Sequence, residues 1–231
     1  MKKTWSKRNL WFIILNLFIF LSTMIVSVAT LTADSIAGQV EIKVTAGWMY
    51  IATFTVLSNF LLGIVALFAV IYGIRFSRTG KEIPKTLIIW YLVAASSTML
   101  TALTVLLFLA PLRALRGKDY FLMLSGPMFF FHFLNPIIAS ICYVFLAPKT
   151  QISKKSIIYC IVPPLIYGVM YGINVVLLHA WHDFYGFTFG GQNWTVAPVF
   201  AVILLVTYGM GYLLDLLRSR HAKKIQTPHE D

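Results

Sequence analysis

Apolar residues fill six stretches of the chain, and clusters of polar residues separate them. Each stretch is long enough to cross a bilayer, which takes about 20 apolar residues in a helix. The predicted helices lie near 10–31, 48–74, 86–110, 121–147, 156–178 and 195–217. The pattern therefore predicts an all-α fold, a polytopic membrane protein with a bundle of six transmembrane helices, in a single integral-membrane domain over residues 1–231.

Composition supports a membrane protein and argues against a soluble nucleic-acid-binding domain. Of the 231 residues, 59% are hydrophobic and 12% are charged, and the mean hydropathy is +0.80. A soluble domain carries about twice that charged fraction. The net charge of +11 would suit nucleic acid if the basic residues formed one face of a soluble fold. They lie instead in short clusters between apolar stretches, so we expect no nucleic-acid partner.

The basic clusters also predict the orientation of the helices. Fifteen of the 19 Lys and Arg lie at the N-terminus, in the second and fourth loops and in the tail. Cytoplasmic loops carry such an excess of Lys and Arg. Both termini are therefore predicted to be cytoplasmic, although the loop "LRALRGKDY" then places three basic residues outside.

The fourth helix contains an ionisable side chain deep within its span, His132 in "MFFFHFLNPIIAS". Such residues are costly in hydrocarbon and are usually functional. Ser125, His132 and Asn135 are spaced i−7, i and i+3, which places them on one helical face. Pro136 is expected to free the carbonyl of His132 from its helical partner. A single histidine that only bonds to a neighbouring helix is the alternative.

The second helix has a matching polar face in "TFTVLSNF", residues 53–60. Thr55, Ser58 and Asn59 are spaced i, i+3 and i+4 and share one side, whereas Thr53 points elsewhere. Counted from the outer ends of their helices at 1.5 Å per residue, Thr55 lies roughly 10 Å deep and His132 roughly 16 Å deep. The two side chains are thus expected at compatible depths in the outer half of the bilayer.

A hydroxyl beside an imidazole is the minimum for nucleophilic acyl transfer. Thr55 is the candidate nucleophile and His132 the candidate base, with Ser58, Asn59 and Asn135 as candidate oxyanion donors or orienting groups and Ser125 as a supporting residue. No buried carboxylate offers an obvious third member, so a full triad is not predicted. The spacing alone is also compatible with a non-catalytic protein: a small transporter, a lipid-binding module or a scaffold.

The segments "FTVLSN" and "HFLNP", with six weakly charged spans, resemble the androgen-induced gene/androgen-dependent TFPI-regulating protein family. The likeness is greatest to its bacterial six-span relatives. It implies a threonine hydrolase of the membrane that cleaves fatty acid esters of hydroxy fatty acids, with Thr55 as nucleophile and His132 as base. It also implies a lipid substrate drawn from the bilayer, no cofactor and a location in a bacterial cell membrane. Ser58 stands where some animal members have an acidic residue.

The outer loop "HAWHDFYGFTFGGQNW", residues 179–194, is rich in aromatic residues and glycine and has no Lys or Arg. It is expected to act as an interfacial anchor or lid. His179, His182 and Asp183 have a spacing that could hold a metal on one helical turn. A third firm ligand is not visible, so no metal is predicted.

Overall fold

The structure, a computed structural model, describes residues 5–36, 52–148 and 150–226. Over these residues the fold is all-α, as predicted, with six helices. These are α1 (Lys7–Ile36), α2 (Phe54–Thr79), α3 (Lys85–Leu115), α4 (Phe130–Leu146), α5 (Lys154–Leu177) and α6 (Val196–Gln226). A short 3₁₀ turn, Asn193–Thr195, precedes α6.

Five of these helices, α1, α2, α3, α5 and α6, are long and apolar enough to cross a membrane. The sixth, α4, is apolar but shorter. Large apolar side chains on the outside of the bundle, such as Ile25 and Leu205, are exposed. Such exposure suits a surface in contact with lipid tails rather than water. These features are those of a multi-pass integral membrane protein.

The predicted start of the fourth helix at residue 121 is wrong. Tyr120–Leu124 forms a separate 3₁₀ turn, which Asp119 caps by accepting a hydrogen bond from the Phe121 amide. Gly126 then adopts a left-handed conformation, with φ +55°, and Pro127 has no amide hydrogen to donate. The chain therefore cannot continue as a helix through Ser125, and α4 begins only at Phe130.

The predicted start of the second helix at residue 48 lies outside the described residues, and the described residues 52 and 53 are not helical. The helix begins at Phe54, where the Thr53 side chain accepts a hydrogen bond from the Val56 amide. Threonine is a favoured N-cap residue because its oxygen satisfies an amide that lacks a helical partner. At the other end, α2 continues to Thr79, and Gly80 ends it at φ 71°.

Wide π turns occur before three of the prolines. Val105–Leu109, Phe130–Leu134 and Cys142–Leu146 each end two residues before Pro111, Pro136 or Pro148. A proline removes one helical hydrogen bond and crowds the carbonyl four residues earlier. The backbone widens there, which allows α3 to extend to Leu115, beyond its predicted end at residue 110.

Helix α3 occupies the middle of the bundle and packs against α2, α4, α5 and α6, while α1 covers α2 and α4. We call the end that holds the N-terminus of α1 and the C-terminus of α6 the inner end, and the opposite end the outer end. Both cysteines, Cys142 and Cys160, are free and fully buried.

Candidate functional site

Thr55 lies in the first turn of α2 and is buried, with 9% of its surface exposed. Ser58 and Asn59 lie on the same side one turn later, and both donate side-chain hydrogen bonds to the Thr55 carbonyl, at 3.1 and 2.9 Å. The predicted polar face is therefore present. Thr53 is not on that face and serves instead as the N-cap of the helix.

A small cavity adjoins Thr55 at the outer end of the bundle. Its volume is about 30 Å³, which is room for one or two water molecules. Its walls are mostly apolar, and the hydroxyl-bearing residues among them are Thr55, Thr101, Thr104, Tyr167 and Tyr185. The cavity as it stands is too small for an acyl chain.

Tyr185, from the outer loop, closes the cavity over the N-terminus of α2. Its hydroxyl accepts a hydrogen bond of 3.0 Å from the Phe54 amide, and the amide and hydroxyl of Thr55 interact with it as well. Amides in the first turn of a helix lack helical partners and carry part of the positive end of the helix dipole. An oxygen atom therefore already occupies the position where these amides converge beside Thr55.

Asp183 holds the loop that carries Tyr185. Its carboxylate accepts hydrogen bonds from the Tyr171 hydroxyl, from the amide of Phe187 at 2.9 Å, and from the amide and hydroxyl of Thr188 at 2.7 and 2.6 Å. Burial alone raises the pKa of Asp183, but these hydrogen bonds outweigh it and hold the pKa below its usual value. The carboxylate therefore organises the loop.

Aromatic rings pack the same loop onto α5 and α6. The stacked pair Tyr185–Phe187 has ring centroids 5.1 Å apart, and Tyr171 and Phe200 lie against Phe187 at 5.6 Å. The predicted aromatic loop is thus a cover over Thr55 that two helices support.

His132 lies in the π turn at the start of α4 and is 6% exposed. Its Nδ1 lies 2.6 Å from the carbonyl oxygen of Met123, in the 3₁₀ turn before α4. A carbonyl can only accept a hydrogen bond, so we assign the ring proton to Nδ1 and the lone pair to Nε2. A neutral ring in this state can take a proton at Nε2.

A chain of amide side chains links the Thr55 turn to the His132 turn. Nδ2 of Asn59 donates to the carbonyl of Phe131 at 3.2 Å as well as to that of Thr55. Asn135 donates to Oδ1 of Asn59 at 3.3 Å and accepts from the Ser22 hydroxyl at 2.8 Å. One side chain, that of Asn59, therefore binds both the backbone of Thr55 and the backbone next to His132.

The π turn explains why Asn59 is needed there. The amide of Asn135 bonds to the carbonyl of Phe130, five residues earlier, and Pro136 has no amide hydrogen. The Phe131 carbonyl thus loses both possible helical partners and accepts from Asn59 instead. Pro136 alone predicts a free carbonyl at His132. The carbonyl that accepts the side-chain hydrogen bond is that of Phe131, one residue earlier.

Several predicted site residues are brought together and one is not. Ser58, Asn59 and Asn135 are buried between α2, α3 and α4. Both amide hydrogens of Asn59 are used, so it orients backbone and has no free donor in this state. Ser125 does not share the face of His132: it is exposed, outside α4, and donates to the Leu122 carbonyl. The helix that would have aligned it is interrupted at Gly126.

Thr55 and His132 lie in neighbouring turns but are not hydrogen-bonded to each other among the contacts of the described residues. His132 is also not part of the cavity wall. The arrangement therefore contains a hydroxyl at the start of α2 with backbone amides nearby, and an imidazole whose Nδ1 bonds to the Met123 carbonyl in the neighbouring turn of α4.

A regular spacing in the sequence also marks polar residues of α1 that the structure buries. Asn9, Asn16 and Thr23 recur every seven residues on α1, and all three are buried against the bundle. Asn16 accepts a hydrogen bond of 2.7 Å from Tyr91. The orienting carbonyl of Met123 and the position of Tyr185 left no such signal, because both depend on loop conformation.

Within the described ranges, no group of three or more His, Cys, Asp or Glu side chains is placed to hold a metal ion. Comparisons of the chain with models of protein families, with curated proteins and with solved structures find no match.

Proposed function

We propose that this protein is an intramembrane hydrolase of lipid esters in which Thr55 is the nucleophile and His132 the general base. One observation carries the proposal: the Phe54 amide already binds an oxygen atom, the Tyr185 hydroxyl, directly beside the Thr55 turn. Backbone amides aimed at the position of a developing oxyanion are a major source of rate acceleration in acyl transfer. A substrate carbonyl oxygen takes this position when Tyr185 moves away.

The reaction has two steps. The Thr55 hydroxyl oxygen attacks the ester carbonyl carbon, and His132 takes the hydroxyl proton at Nε2 and gives it to the leaving alcohol. This step forms a Thr55–acyl ester and breaks the substrate's C–O bond to its alcohol. Water then attacks the acyl carbon, again with His132 as base, which releases the fatty acid and restores Thr55.

The carbonyl of Met123 takes the orienting role that a carboxylate plays in a full triad. It fixes the proton on Nδ1 and leaves Nε2 as the basic nitrogen. Nε2 and the Thr55 hydroxyl must approach to hydrogen-bonding distance in the reactive state, as catalytic contacts often do only once substrate is bound.

The substrate reaches the site from the bilayer. Most of the wall around Thr55 is apolar, so an acyl chain is favoured there once the loop opens and enlarges the cavity. The likeness of "FTVLSN" and "HFLNP" to the threonine hydrolases of the androgen-induced gene family supports fatty acid esters of hydroxy fatty acids as the substrate class.

The proposal includes six spans, with both termini in the cytoplasm of a bacterial cell. At 1.5 Å per residue, α4 reaches about 25 Å, slightly less than the roughly 30 Å hydrocarbon core. The 3₁₀ turn Tyr120–Leu124 extends the same segment towards the outer surface. A short span of this kind is accommodated by local thinning of the bilayer.

A second candidate is a lipid-binding protein without catalysis. It is favoured by the absence of His132 from the cavity wall in the described structure. In this case Thr55 would only bind a lipid carbonyl, and the loop would regulate access.

Hydrolysis of a fluorogenic long-chain ester by the purified protein in lipid nanodiscs distinguishes the two candidates. We expect Thr55→Val to lower the rate at least about 100-fold, since loss of a nucleophile or its base costs that much or more. Thr207→Val is the matched control, because Thr207 is a buried threonine on α6 that donates only to the Ile203 carbonyl. Saturable lipid binding by the wild type with no hydrolysis would support the second candidate.

A further inference from the structure

A second, larger cavity lies at the inner end of the bundle, opposite Thr55. The end of α4, the start of α5 and the last turns of α6 line this cavity, whose volume is about 530 Å³, a volume typical of small-molecule sites. Its wall contains one carboxylate, that of Asp215, and five Lys and Arg side chains. These are Arg8, Lys154, Arg218, Arg220 and Lys223.

Two of the arginines, Arg8 and Arg218, have a structural role because they donate hydrogen bonds to backbone carbonyls. Arg8 donates to the carbonyls of Leu146 (3.2 Å) and Ala147, at the end of α4. Arg218 donates to the carbonyls of Pro148 and Thr150, the latter at 2.8 Å. The last carbonyls of a helix lack partners and attract cations, so these guanidinium groups hold the α4–α5 connection.

Those contacts do not satisfy all of the hydrogen-bond donors of Arg218. Arg218 is 94% buried, with 6% of its surface exposed, and its Nε is buried with no hydrogen-bond partner. A buried donor that lacks a partner is rare and costly. Its ring contact with Tyr143, at 5.0 Å, leaves that N–H unsatisfied.

The one carboxylate does not neutralise the cavity. Asp215 accepts a hydrogen bond of 3.3 Å from the Tyr143 hydroxyl. Arg218 and Lys154 interact electrostatically with Asp215. Among the described side chains, Arg220 and Lys223 have no hydrogen-bonding or ion-pair partner, and Lys154 and Arg220 are exposed at the rim. A concave surface with this excess of cations concentrates anions.

We propose that this cavity binds a phosphate group. Phosphate offers several acceptor oxygens to a set of converging cations, and arginine forms strong charge-assisted hydrogen bonds with it. Tyr212 and Leu216 belong to the same wall, and the neighbouring Leu213 and Leu217 are exposed apolar residues on α6. A lipid headgroup can therefore lie in the cavity while its acyl chains run along α6; a free phosphate-bearing solute would use the same cations.

The thermal unfolding temperature of the full-length protein tests this site. The protein is measured in phosphatidylcholine nanodiscs, in nanodiscs that also contain phosphatidylglycerol, and in phosphatidylcholine nanodiscs with inorganic phosphate. The cavity variant is Lys154→Gln with Arg220→Gln. The control, Arg78→Gln with Lys81→Gln, removes two exposed charges from the same end but outside the cavity.

We expect stabilisation by phosphatidylglycerol, with an apparent affinity about tenfold or more weaker in the cavity variant, because its two cations form charge-assisted contacts with the phosphate. The affinity should be unchanged in the control, because Arg78 and Lys81 lie outside the cavity. If inorganic phosphate produces the same selective pattern, the ligand is a soluble phosphate rather than a lipid. The proposal is overturned if neither ligand stabilises the protein, or if both double variants lose the effect equally. Unfolding of each variant without ligand shows whether the fold itself is retained.

Discussion

At the scale of single residues, Tyr185 is the side chain that joins the outer loop to the start of α2. Its hydroxyl occupies the Phe54 amide, and its ring stacks on Phe187. The same oxygen atom therefore stabilises the loop and, in the proposed mechanism, competes with a substrate carbonyl for the amide.

Tyr185→Phe removes this hydroxyl and leaves the Phe54 amide without its partner. We expect a loss of about 1–2 kcal/mol in the free energy of unfolding, the usual cost of a buried donor left unsatisfied. Thermal unfolding measures the change. Tyr159→Phe is the control because Tyr159 is exposed. If ester hydrolysis is present, the variant should also have a lower KM, and an unchanged stability together with an unchanged KM would contradict this role for Tyr185.

Asp183 makes the loop sensitive to acid. Its pKa is depressed in the folded protein, so its contribution to stability is fully present above the unfolded-state value of about 3.9 and is lost as the pH falls below it. We expect the fluorescence of Trp181 and Trp194 to report loosening of the loop between about pH 4 and more acidic values. Asp183→Asn should remove this transition, and a transition of the same size in that variant would contradict the assignment.

At the scale of helices, the close approach of α5 and α6 depends on one glycine of the "GVMYG" segment and not on the other. A Cβ atom at Gly168 would lie 2.6 Å from the ring of Phe200, whereas at Gly172 nothing lies within 4 Å. Both glycines are helical, so one serves as the matched control for the other.

Gly168→Ala should therefore lower the free energy of unfolding by about 1–3 kcal/mol, the typical cost of overpacking. Gly172→Ala should leave it unchanged or raise it slightly, because alanine is the better helix former. Thermal unfolding of the two variants in the same detergent makes the comparison, and equal effects would contradict the packing described for α5 and α6.

Periodicity predicted which segments are helical and which polar residues share the face of α2, because both follow from spacing alone. It did not predict where α4 begins, since a continuous helical pattern runs through Ser125, Gly126 and Pro127. The left-handed turn at Gly126 and the π turn before Pro136 are backbone features. They decide that Ser125 is exposed and that Asn59 meets Phe131. Contacts of the loop, such as that of Tyr185 with Phe54, depend on tertiary packing, so no regular spacing in the sequence predicts them.

At the scale of the whole molecule, the distribution of charge predicts the side of the membrane on which each end lies. Cys142 and Cys160 are fully buried, so single cysteines placed at exposed positions can be labelled selectively. We expect Gln192→Cys, in the outer loop, to react with a membrane-impermeant maleimide added to intact cells. Lys81→Cys, at the inner end, should react only after the cells are opened, and the reverse pattern would contradict the orientation.

The two ends of the molecule have different chemistry. The outer end has a small apolar cavity beside a threonine, and the inner end has a basic cavity with an arginine whose Nε lacks a partner. A network of buried amides and hydroxyls on α1, α2 and α4 lies between them and fixes the helices relative to one another. The outer cavity is where the proposed chemistry takes place, so its test is also the test of the whole account.

The most direct test is covalent labelling of the protein in membranes with a long-chain alkyl fluorophosphonate, followed by mass mapping of the modified residue. We predict that the phosphonyl group is attached to Thr55, that Thr55→Val abolishes labelling, and that His132→Asn slows it while Thr207→Val does not. Absence of labelling in the folded wild type, or equal labelling of wild type and Thr55→Val, would contradict the assignment of Thr55 as the nucleophile.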